Sequence, residues 1–144
     1  MNVLERLPLV GPFLRRRPQK NFLMALWNEV NGNLERYYVV EQRQFITEPF
    51  DIEAWEEARM FSRLQFSSGL LEYAAAVRDF NAALKDMKEF EGIYSSSIEK
   101  KTRANAEVLH AKKEALEEKL QYLRPVIVSA QKALREMLAK YQVS

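Results

Sequence analysis

Leu109, Leu116, Leu123, Ala130 and Met137 recur at seven-residue intervals, and Leu120, Ile127, Leu134 and Tyr141 form a second line four residues behind the first. Steps of four and three keep both lines on one face of an α-helix, the 3.5-residue period of a coiled-coil-like seam. A helix carrying such a seam needs other helices laid along it, because burying its large apolar side chains is its main source of stability. Ser96 followed by Glu99 makes an S-x-x-E capping box, so this helix is predicted over about 96–142. Pro125 falls on the face opposite the seam, which keeps its phase across the proline. That pattern predicts a kink and not an end.

Two further helices are predicted upstream. The first covers about 20–47, with Leu26, Val30, Leu34, Tyr37 and Val40 along one side and Phe22, Leu23 and Trp27 widening the stripe. Asn31-Gly32-Asn33 weakens it locally, since an interior glycine costs about 1 kcal/mol relative to alanine, but the flanking period carries it through. Pro49 ends the run and Asp51 is placed to cap the next helix. That second helix is predicted over about 51–91 as one element with two faces. Ala54, Ala58, Phe61, Leu64 and Leu71 define one line, and Phe66, Leu70, Tyr73, Val77, Phe80, Leu84 and Met87 define another, with Ser67-Ser68-Gly69 at the change of register. Trp55 and Phe61 are expected in the core.

The chain is 47% hydrophobic and 29% charged, the mix of a folded protein. Its net charge of +2 conceals a segregation. Residues 1–20 carry five basic and one acidic residue, residues 21–99 seven and fourteen, and residues 100–144 ten and five. An acidic middle and a basic last third are expected to attract each other as antiparallel helices. With no cysteine, disulfides, thiolate metal sites and thiol catalysis are excluded.

The first helix is too short to cover the whole hairpin formed by the other two. The uncovered part is expected to expose Phe80, Leu84, Met87, Phe90, Tyr94 and Leu109 as a dimer or partner surface. The fold expected is therefore all-α: an antiparallel bundle of three main helices in one domain over 19–144, completed by a second copy or a helical protein partner.

Catalytic patterns are weak. Glu107-Val108-Leu109-His110 has the E-x-x-H spacing of di-iron bundles, but Leu109 on the seam turns Glu107 outward, and His110 is the one histidine in the chain. No phosphate-binding glycine loop or nucleophile motif occurs. The chain is read as no enzyme, without metal or cofactor. The basic residues Lys100, Lys101, Arg103, Lys112 and Lys113 lack the interleaved aromatics of a nucleic-acid binder, so nucleic acid is not the expected partner. Trp27, Arg36, Tyr37 and Tyr38, together with Asn28, Asn31 and Asn33, form a second candidate docking surface, since amphipathic aromatics and arginine favour interfaces.

The stretch LPLVGPFLRRRP, residues 7–18, is too short to span a bilayer and has its arginines on the wrong side for a secretory signal. Residues 1–18 are read as an arm. Leu9, Val10, Phe13 and Leu14 either pack on the bundle or dip into a membrane surface while Arg15, Arg16 and Arg17 meet anionic headgroups. The function expected is a non-catalytic structural or protein-interaction module acting through helix-helix recognition in the cytoplasm. The alternative is a peripheral membrane protein using the arm and the basic last third on anionic lipid.

Overall fold

The computed structural model describes the backbone of residues 10–43 and 48–142, and side chains within 19–43 and 48–141. Among these residues there are four α-helices and no strand: α1 (Val10–Arg43), α2 (Glu53–Phe61), α3 (Ser68–Ser95) and α4 (Arg103–Gln142), with a 3-10 turn at Ile98–Lys100 between the last two. The all-α expectation holds. Where three main helices were expected, the described residues hold four, of which α2 has nine residues.

The 40-residue α4 is about 60 Å long and forms the spine. Its heptad face is where the other elements meet: Leu116, Leu123, Ile127, Ala130 and Leu134 are buried, and the helix passes Pro125 unbroken. Both α1 and α3 pack on α4. Tyr141 donates to Gln19 at 3.0 Å, Gln131 to Asn31 at 2.6 Å, and Arg124 covers Tyr38, so α1 runs antiparallel to α4 along its C-terminal half. Lys119 meets Asp79 and Lys112 meets Asp86, each at 2.5 Å, so α3 runs antiparallel along the N-terminal half. With Lys113–Glu91 at 3.2 Å, these pairs realise the expected attraction between the acidic middle and the basic last third.

The second predicted helix is broken. At the end of α2, Ser62 turns to extended backbone (φ −98°, ψ 163°), its hydroxyl donates to the Ala58 carbonyl and its Oγ accepts from the Leu64 N–H at 3.3 Å. The short extended run that follows gives Leu64 and Phe66 the two-residue period that aims both at the core. In a continuous helix those two would face far apart. Phe66 packs on Trp55 with ring centroids 4.7 Å apart. Phe61, expected in the core, is instead 68% exposed, and Leu71 is exposed as well.

Three other boundaries are corrected. Residues 98–100 form a separate 3-10 turn, and α4 starts only at Arg103, with Thr102 Oγ1 accepting from the Asn105 N–H at 3.1 Å, so the Ser96–Glu99 box opens no α-helix. Ser96 instead closes α3, its N–H and hydroxyl both donating to the Ile93 carbonyl. The first helix begins at Val10 and not at Lys20, so the expected boundary at residue 18 falls inside α1. Pro12 sits in the first turn, where its missing N–H costs nothing, and Pro18 supplies a φ compatible with helix at the loss of one backbone bond. The predicted end near Thr47 lies outside the described residues.

The distal hairpin also differs from expectation. Phe80, Leu84 and Met87 are buried and Leu109 is nearly so, while Phe90 and Tyr94 are half-buried. Phe50 from the α1–α2 connection covers Phe80 edge-on at 5.0 Å, and Lys112 lies over Phe90 at 5.6 Å. Beyond Leu84 the face of α3 that carries this cover turns polar, through Lys88, Gly92 and Ser95, so one apolar line facing α4 suffices. The exposed face on which the dimer expectation rested is therefore absent among the described residues.

Candidate interaction surface

The connection between α1 and α2 sets the position of everything on α1. Asn33, fully buried, accepts from the Asp51 N–H at 2.9 Å and donates to the Asp51 carbonyl at 2.8 Å and to the Tyr73 hydroxyl at 2.6 Å. Asn81 on α3 makes the same two-way contact with Phe50, at 2.9 Å in each direction. The two amides thus satisfy the backbone of an extended dipeptide as flanking strands would. Glu29 accepts from the N–H groups of Ala54 (2.8 Å) and Trp55 (3.1 Å), filling the orphan donors of α2 that Asp51 was expected to serve. Burial pushes the Glu29 carboxyl above the ordinary carboxylate range, and these two donors hold the rise in check. Burial likewise pushes the Tyr73 phenol up, against the bond from Asn33.

This clamp divides the expected docking cluster. Arg36 is spent on it, donating to the Pro49 carbonyl and standing 3.3 Å from the Asp51 carboxylate. Tyr37 is buried, and that burial raises its phenol. Asn33 is core. Trp27 and Tyr38 turn the other way, onto the groove between α1 and α4. There the Arg135 guanidinium lies 5.6 Å from the Trp27 ring and the Arg124 guanidinium 5.8 Å from the Tyr38 ring, with the Gln131–Asn31 bond between the two stacks. Tyr37 braces Tyr38 edge-on at 5.8 Å.

Eleven residues separate Trp27 from Tyr38 and Arg124 from Arg135, so the stacks stand about 16 Å apart on each helix. Tyr38 and Val128 are exposed and Trp27 is half-buried. Among the described residues, neither arginine forms an ion pair with a carboxylate. A guanidinium held over a ring with no carboxylate partner keeps N–H donors for a further acceptor, and such a cation–π contact at an exposed site is worth about 0.5–1 kcal/mol. The α4 half of the groove, Arg124, Val128, Gln131 and Arg135, escaped the sequence reading. Its signal was the spacing of four, three and four on the flank of the seam.

The remaining candidates fall elsewhere. The E-x-x-H residues lie on open surface, Glu107 paired with Arg103 at 3.4 Å and His110 with Glu114 at 2.8 Å. A groove between α3 and α4 beside Glu72, Ala76 and Glu118 is bridged by Tyr122–Glu72 and Lys119–Asp79. Leu9 and the side chains of Val10, Phe13, Leu14, Arg15, Arg16 and Arg17 lie outside the described residues. No described helix is long and apolar enough to cross a membrane. No protein-family model, curated protein or solved structure matches the chain.

Proposed function

We propose that the protein is a non-catalytic interaction module that recognises a helical protein partner along the α1/α4 groove. The observation that carries this reading is the pair of arginine–aromatic stacks, Arg135 on Trp27 and Arg124 on Tyr38. Tryptophan, tyrosine and arginine are the residue types that dominate binding energy at protein interfaces, and here they are pre-ordered in a shallow helical groove. Two guanidiniums without carboxylate partners favour an acidic face on the partner and oppose pairing of the groove with its own copy. The partner is therefore a different chain, with an amphipathic helix whose apolar residues meet Tyr38 and Val128 and whose carboxylates meet the arginines.

A photo-crosslinking residue at Val128, compared in the source cells with the same residue at Glu57 on α2, tests this. A discrete protein adduct at 128, absent at 57 and lost in R124E/R135E with helicity unchanged, is expected. No adduct at 128, or one indifferent to the arginines, overturns the reading.

A further inference from the structure

We propose that the tip of the α3–α4 hairpin is a membrane-contacting device that inserts Ile98 between the headgroups of an anionic bilayer. This goes beyond the groove reading and stands independently of it.

Ile98, on the 3-10 turn, is 88% exposed, the highest value among the exposed large apolar residues. It does not stand alone. Ile93 lies seven residues beyond Asp86 on α3, and Val108 four residues before Lys112 on α4. Both therefore share the helix face of the Asp86–Lys112 bridge and lie between it and the tip, about 10 Å and about 6 Å along their helices. Ile93 is 55% and Val108 43% exposed. Three exposed apolar side chains thus lie on the turn of the hairpin and on the helix ends that flank it. An exposed apolar residue on the end turn of a hairpin suits insertion into a deformable headgroup layer better than docking in a groove on a protein.

Charge selects the occupant. Of the basic residues clustered at this end, Lys112 and Lys113 are tied to Asp86 and Glu91, and Arg103 to Glu107. Lys100 and Lys101, which follow Ile98 after the exposed Glu99, have no carboxylate partner among the described residues and are exposed. An exposed apolar residue with two nearby free ammonium groups, which outnumber the one carboxylate of Glu99 beside them, is complementary to a surface of acyl chains under anionic headgroups. A soluble polyanion would use the lysines and leave Ile98 in water.

The absence of native cysteine allows a direct test in the full chain. An I98C variant labelled with an environment-sensitive fluorophore, and a control labelled at Glu57→Cys, are titrated with phosphatidylcholine vesicles and with vesicles containing 30% phosphatidylserine. A blue shift at 98 and none at 57, with the anionic vesicles only, is expected. The K100Q/K101Q double variant should bind those vesicles about 25-fold more weakly, each near-surface lysine contributing roughly fivefold. Three results overturn the proposal: no binding to anionic vesicles, equal binding to neutral ones, or binding that persists in K100Q/K101Q with no shift at 98. The last would assign adhesion to residues outside the tip.

Discussion

Asn33 shows how one side chain can fix a chain's course. Its amide joins α1 to both backbone groups of Asp51 and to Tyr73 on α3, so three segments depend on it. Removing it strands buried donors and acceptors, and each costs about 1–3 kcal/mol. Asn33→Ala is expected to lower stability by about 2–4 kcal/mol in urea unfolding, whereas Asn28→Ala on the exposed side of the same helix should stay within about 0.5 kcal/mol. Equal midpoints for the two would show that the clamp contributes nothing. Asn-Gly-Asn was read as a weak point in a helix. Whether an asparagine in that run is exposed or buried depends on which backbone passes it, and that backbone lies 18 residues away.

At the scale of elements, the break between α2 and α3 is decided by which aromatic reaches the core. The extended run from Ser62 carries Phe66 onto Trp55 and leaves Phe61 outside. Phe66→Ala should cost about 2–3 kcal/mol, less than a fully buried phenylalanine because the ring is half-buried, and Phe61→Ser should change stability by no more than about 0.5 kcal/mol. A continuous helix would reverse that order, so the two midpoints distinguish the arrangements. Sequence periodicity located the change of register to within a few residues. It could not distinguish a kink from an unwound segment, because Leu64 and Phe66 fit a helical stripe with one set of neighbours and a two-residue alternation with another.

For the whole molecule, the stagger of α1 and α3 along α4 creates a middle where both pack on α4 and a two-helix distal end. Tyr73, Val77, Leu123 and Ile127 are buried in that middle, whereas residues 95–104 are all exposed. Native-state hydrogen exchange should accordingly find the slowest amides around 73–80 and 120–130. The tip, around 93–106, should exchange through local opening at far lower free energy. Uniform protection along α3 and α4 would contradict this gradient. The same gradient leaves the tip free to meet a bilayer without disturbing the groove at the other half of the spine.

The sequence by itself determined the helical class, the inward face of α4 and the attraction between the acidic and basic segments, because these follow from residue spacing and charge along a regular helix. The candidate docking residues were half legible: Trp27 and Tyr38 reach a surface groove, while Arg36 and Tyr37 on the same helix do not. Only the tertiary structure decided that division, the break after Phe61, the burial of Phe80, Leu84 and Met87, and the arginines stacked from α4. Each of these depends on what a distant segment places against a side chain, and local periodicity carries no information about that.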